Sequence, residues 1–107
     1  MTYKVLGQAN PVANTDTSLY TVGATKQGIV STLTICNRAA TGNAAVRVAV
    51  RPAGAAIAAQ HYILWEHIIA PEDTSLLTIG ITVEATDVIT VRSTNADTAF
   101  SLFGQEV

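Results

Sequence analysis

The stretch Val46-Arg47-Val48-Ala49-Val50-Arg51 decides the fold. Successive side chains leave an extended strand on opposite faces. Val46, Val48 and Val50 therefore point to a core, while Arg47, Ala49 and Arg51 point to water or to an interface. Gln27 to Asn37 repeats the pattern with Ile29, Leu33 and Ile35 on one face and Val30, Thr32, Thr34 and Cys36 on the other. Both of its faces lean apolar, as in a central strand, and its β-branched residues favour extended backbone. Outward from these two segments the same period predicts strands at Tyr3 to Leu6, Ser18 to Val22, His61 to Ile68, Ser75 to Val83, Val88 to Ser93 and Thr98 to Glu106.

Turn chemistry separates these strands. Asn10-Pro11 and Arg51-Pro52 break ladder pairing at proline, and Asn37 to Asn43 supplies Gly and Asn for a connecting loop. Ala70-Pro71-Glu72-Asp73 and Glu84-Ala85-Thr86-Asp87 read as tight reversals. Helix signals are nearly absent. The sequence thus predicts an all-β protein, an antiparallel β-sandwich of about eight strands with jelly-roll-like topology. One domain over residues 1–107 is expected, with 1–11 as an extended N-terminal arm or an edge strand. Ala53-Gly54-Ala55-Ala56-Ile57-Ala58-Ala59 reads as a loop or extended arm, in competition with a short helical turn because Ala is the best helix former. Its small residues Ala53, Gly54, Ala55 and Ala56 form either a contact patch, where another backbone comes close, or a plain connection at the sandwich edge.

Composition bounds the function. Only 13% of the residues are Asp, Glu, Lys or Arg, against about 25% in an ordinary soluble domain. Thr, Ser and Asn stand where charge is usual, so part of the outside is expected to be covered by other subunits. The net charge is −2 and the Lys and Arg are scattered singly, which gives no field for nucleic acid. No apolar run is long enough to span a bilayer, and Met1 to Pro11 lacks the apolar stretch of an export signal, so synthesis in the cytoplasm is expected. Cys36 stands alone and forms no internal disulfide.

Catalytic patterns are missing. The glycines at 7, 23, 28, 42, 54, 80 and 104 are dispersed and build neither a phosphate loop nor a dinucleotide fingerprint. His61 and His67 in one strand stand roughly 20 Å apart at about 3.3 Å per residue, too far to share a zinc ion. Glu66 and Asp73 read as a strand residue and a turn residue rather than a glycosidase pair, and Cys36 as a small buried residue rather than a nucleophile. No enzyme activity, metal or other cofactor is expected. Two surface candidates remain. Arg47 and Arg51 share a face and suit a neighbour's carboxylate, or else are simply solvated. Trp65 and Tyr62, with Tyr20, suit either a sugar-stacking platform or core packing, and packing is the commoner fate of a single Trp in an apolar strand.

A further set of motifs runs from end to end. Tyr3-Lys4-Val5-Leu6-Gly7-Gln8, Leu19-Tyr20-Thr21-Val22, Ile35-Cys36-Asn37-Arg38, Val50-Arg51-Pro52-Ala53-Gly54-Ala55, His61-Tyr62-Ile63, Gly80-Ile81-Thr82, Ala85-Thr86-Asp87-Val88 and Phe103-Gly104 follow one another in order. Together they resemble a group of small single-domain β-sandwich structural proteins encoded among the virion genes of tailed bacteriophages. Gly23 departs from the pattern, where the group often has Pro. The resemblance implies a virion structural protein at the capsid surface. Its form would be a decoration or cement protein, usually a homotrimer, partnered with itself and with the phage major capsid protein. It also leaves open a tail, baseplate or fibre-associated module that acts as an adaptor or binds a host glycan.

Overall fold

A computed structural model describes residues 2–107; Met1, the first residue of the expected arm, lies outside the described residues. The alternating segments become eight strands: β1 (Lys4–Ala9), β2 (Thr17–Thr21), β3 (Gly28–Asn37), β4 (Ala44–Arg51), β5 (Tyr62–Ile69), β6 (Asp73–Val83), β7 (Val88–Ser93) and β8 (Thr98–Glu106). They form two four-stranded sheets, β1-β8-β3-β6 and β2-β7-β4-β5. All the pairings are antiparallel, which is the all-β sandwich that the period-2 pattern predicts.

The pairing has a simple logic. β1 pairs with β8, β2 with β7, β3 with β6 and β4 with β5. The chain is thus one long antiparallel hairpin, turning back between β4 and β5. The hairpin is rolled up so that β3 also meets β8 and β4 also meets β7. This is the jelly-roll arrangement. The turn-back, residues 52–61, contains two short 3₁₀ turns, Pro52–Gly54 and Ala59–His61, with extended chain between them. No helix among the described residues is long and apolar enough to cross a membrane.

The core lies between the sheets. Leu33, Ile35, Phe100 and Leu102 come from one sheet, Val46, Val48, Ile89 and Val91 from the other, and all are at most 1% exposed. Each such side chain contributes roughly 1.5–3 kcal/mol by leaving water. One expectation is corrected here. Ile29 does not share a face with Leu33 and Ile35, because β3 carries a bulge at Ser31 that shifts its register against both neighbours. Val30, Leu33 and Ile35 point inward, and Ile29 is 36% exposed. An extra residue reverses the side-chain phase beyond it. Gly104 faces the same irregularity, and a Cβ there would collide with the Ile29 carbonyl oxygen. Only glycine permits that approach.

Two polar ties close the ends of the sandwich. At one end Asn37, wholly buried, donates from Nδ2 to the carbonyls of Gly42 (3.1 Å), Ile69 (3.0 Å) and Ala70 (3.3 Å). Its Oδ1 accepts from the Ala39 N–H and from Asn95 Nδ2. Thus one side chain anchors the loops after β3, β5 and β7. At the other end the Tyr20 hydroxyl of β2 donates to Glu106 Oε2 of β8 across 2.5 Å.

The Tyr20–Glu106 bond predicts a pH signature. The Tyr20 hydrogen bond, then the Gly23 backbone and the charges of Lys4 and Lys26, hold the Glu106 carboxyl below its usual value. Burial, followed by the Glu106 bond and its charge, holds the Tyr20 phenol well above its usual value. A lowered carboxyl contributes stability above its unfolded pKa, near 4.3, that is lost as pH falls through the folded value. A raised phenol contributes stability below about pH 10 that is lost as pH rises further. Urea midpoints of Tyr20→Phe should therefore vary less with pH than wild type, both below about pH 4 and above about pH 10. Parallel profiles for the two proteins would count against this tie.

Candidate functional site

The outer face of β2-β7-β4-β5 is shaped by irregularities in β5. Val46 pairs with His67 but Val48 with Leu64, so β5 holds an extra residue there, and Glu66 takes a left-handed φ of 51°. The bulge leaves Trp65 and Glu66 exposed side by side. Arg47 of β4 reaches both. Its Nη2 lies 2.9 Å from Glu66 Oε1, and its guanidinium sits 4.1 Å from the Trp65 ring centroid. The hydrogen bond from Arg47 holds the Glu66 carboxyl below the ordinary carboxylate range. Tyr62 packs edge-on to Trp65, with centroids 4.7 Å apart and planes at 82°. Such edge contacts and exposed cation–π contacts are each worth about 0.5–1 kcal/mol. They fix the orientation of an indole that is 58% exposed.

Trp65 is therefore not core, contrary to the commoner fate of a lone Trp. Tyr20 is buried and stands apart from the pair. Tyr62 and Trp65, with Ile57, Ala58 and Ala59, line an open groove of about 580 Å³, within the size range of small-ligand pockets.

The segment after β4 is held down by Arg51. Its Nε donates to Thr90 Oγ1 (3.0 Å), and its Nη1 donates to the carbonyls of Gly54 (3.4 Å) and Ala55 (3.1 Å). The Ala53 N–H donates to Asp87 Oδ1 at 2.8 Å. Ala53, Gly54, Ala55 and Ala56 form an exposed ridge beside the groove, with Ala53 and Gly54 at left-handed φ of 53° and 70°. The structure gives the two arginines different contacts: Arg51 pins this ridge, and Arg47 carries the indole and Glu66.

The other side chains considered from sequence do not gather. His61 Nδ1 accepts from the Ala58 N–H, whereas His67 Nε2 lies 3.4 Å from Ser75 Oγ on β6. Asp73 Oδ1 accepts from the N–H of Thr74. Cys36 is half-buried, facing outward from β3. Among the described residues no group of three or more His, Cys, Asp or Glu is placed to hold a metal.

The second surface was not legible in the sequence. Cross-strand register aligns Gln8, Ser101, Thr34 and Leu76 across the outer face of β1-β8-β3-β6. Beside this row run Val5, Phe103, Thr32 and Thr78, and then Ala99, Cys36 and Thr74. None of these residues is Asp, Glu, His, Lys or Arg. Leu76 is 69% exposed and Val5 47%. The signal that could have found this face was the Thr-rich outward set of Gln27 to Asn37, but assigning it needed the strand order.

No protein-family model matches this sequence, and no curated protein matches it either. Solved structures similar to it include two crystal structures of a pentameric capsid protein isolated from metagenomic phage sequences, one of them solved by iodide SAD phasing. Each is 18% identical with a TM-score of 0.43, over 92% of this chain and 61% or 62% of the other. The chain spans less than two thirds of the length of either.

Proposed function

We propose that this protein is a non-enzymatic structural subunit of a bacteriophage virion that associates with itself and stabilises the shell of major capsid protein as a decoration or cement protein. The observation that carries this reading is the outer face of β1-β8-β3-β6, three cross-strand rows deep and without an ionised side chain. Soluble monomers seldom expose broad uncharged faces with apolar side chains among them, and such faces mark contact surfaces. The low overall charge and the resemblance of the motifs to virion proteins support it. The trimer implied by that resemblance is the proposed stoichiometry, the capsid surface the proposed location, and the host cytoplasm the place of synthesis.

The test is binding to emptied or expanded phage shells. Wild type should bind in stoichiometric amounts. Thr34→Arg, which puts a charge at the centre of the uncharged face, should fold normally and bind at least tenfold more weakly. Failure of wild type to bind any shell would overturn the proposal.

A second reading is favoured by one observation, the exposed and rigidly held Trp65. An indole held by Arg47 and Tyr62 and still 58% exposed is suited to stacking on a sugar ring. In this reading the protein is a tail, baseplate or fibre-associated module that binds a host glycan. Saturable binding on a glycan array that is lost in Trp65→Ala would favour this reading over the first; a blank array would remove it.

A further inference from the structure

The four outer edges of the two sheets are not alike. β1 has six residues, Lys4 and a register break between Val5 and Gly7; β2 has five residues and a break between Ser18 and Tyr20. β5 is broken twice and carries Glu66. Short length, charge and bulges are how proteins keep sheet edges from pairing with other chains. β6 differs. At 11 residues it is the longest strand, and from Thr74 to Val83 it holds no charge and no proline. From Asp73 to Thr78 it pairs with β3 in unbroken register, its irregularity coming only beyond Thr78. Its other side has no strand beside it among the described residues.

We propose that this free edge pairs antiparallel with β6 of a second copy, centred on Leu76, and joins two four-stranded sheets into one of eight strands. The centre follows from geometry. Two copies of one strand pair antiparallel about a twofold axis perpendicular to the sheet, which keeps both outer faces on the same side. Opposed residues must then share a face, so the axis passes through a residue pair. Leu76 is the middle of the regular, uncharged run Thr74–Thr78. In this register Leu76 meets Leu76, Ser75 meets Leu77 and Thr74 meets Thr78, with no like charges opposed. Apolar and Thr–Thr cross-strand pairs are favourable, and Leu76, now 69% exposed, gains a partner.

The inference rests on the reading of the chain as an assembling subunit and names one contact by which it assembles. A closed, isologous contact of this kind makes dimers by itself or links trimers in pairs.

The test is a directed disulfide in a Cys36→Ser background. Opposed Cα atoms in an antiparallel pair lie about 4.5–5.5 Å apart, within the span a disulfide bridges. Leu76→Cys should therefore oxidise to a covalent dimer, whereas Thr82→Cys, on the same face but outside the register, should not. In sedimentation equilibrium Leu76→Lys should associate at least tenfold more weakly than wild type, with an unchanged circular dichroism spectrum. Equal crosslinking at both positions, or association unaffected by Leu76→Lys, would overturn the β6 contact. Shell binding by such a protein would still leave the virion reading standing.

Discussion

Asn37→Asp is expected to abolish cooperative folding at neutral pH. The change is nearly isosteric, so its effect is almost purely electrical. Asn37 is 0% exposed, and its Nδ2 donates to three carbonyl oxygens from two separate loops. A carboxylate has no proton to give and would set negative charge against those oxygens. Leaving buried groups unsatisfied costs about 1–3 kcal/mol each, and an unpaired buried charge adds several more. Together this approaches the whole stability of a domain, about 5–15 kcal/mol. The sign of the pH dependence is also fixed. The introduced carboxyl is favoured in its neutral form by the fold, so its pKa is raised, and stability should return as pH falls and be lost as pH rises. Urea unfolding at pH 7 and pH 4 measures both effects. A loss under about 1 kcal/mol at pH 7 would mean that the three donated bonds contribute little.

Val48→Asp is expected to give no folded protein. Val48 is 0% exposed in the interior strand β4, between Val91 on β7 and Leu64 on β5, and no polar partner lies in its register. Burying an ionised carboxyl there costs several kcal/mol, and neutralising it still leaves an unpaired acid in the core. Val48→Ala should fold with a loss of about 1–3 kcal/mol, from the transfer and cavity terms. Solubility on expression and far-UV circular dichroism distinguish the outcomes. A soluble, cooperatively unfolding Val48→Asp would mean that β4 presents its other face to the core.

The core-facing Val46 and Val48 of β4 were legible because the strand pairs with β7 without a break from Val46 to Arg51, although Ala49, expected on the outward face, is buried as well. Where a ladder is regular, alternation in one strand is enough to tell inside from outside. It misled where the strand itself carries an extra residue. The bulge at Ser31 turned Val30 inward and Ile29 outward while Thr32, Thr34 and Cys36 kept their outward places, and the sequence marks it only by the adjacent Ile29 and Val30. Trp65 was drawn toward the core by its apolar surroundings. Its true position depends on Glu66 and on Arg47, which is 18 residues away in sequence and adjacent only across the β4–β5 ladder. The same limit hid the uncharged face, which is a property of four strands in a particular order. Asn37, read as the start of a polar loop, is a buried clamp because the loops after β5 and β7 fold back onto it.

The rolled hairpin also has a consequence for synthesis. Lys4 is opposite Gly104, and β8 lies between β1 and β3. Until β8 has left the ribosome, β1 and β3 each lack the neighbour that lies between them, and the β1-β8-β3-β6 sheet cannot close. Ladders between such distant parts of a chain form slowly, and unpaired strands are prone to aggregate meanwhile. The β1-β8-β3-β6 sheet therefore closes only after β8 has emerged, and the yield in the cell should depend more on chaperone supply and growth temperature than the size of the fold suggests.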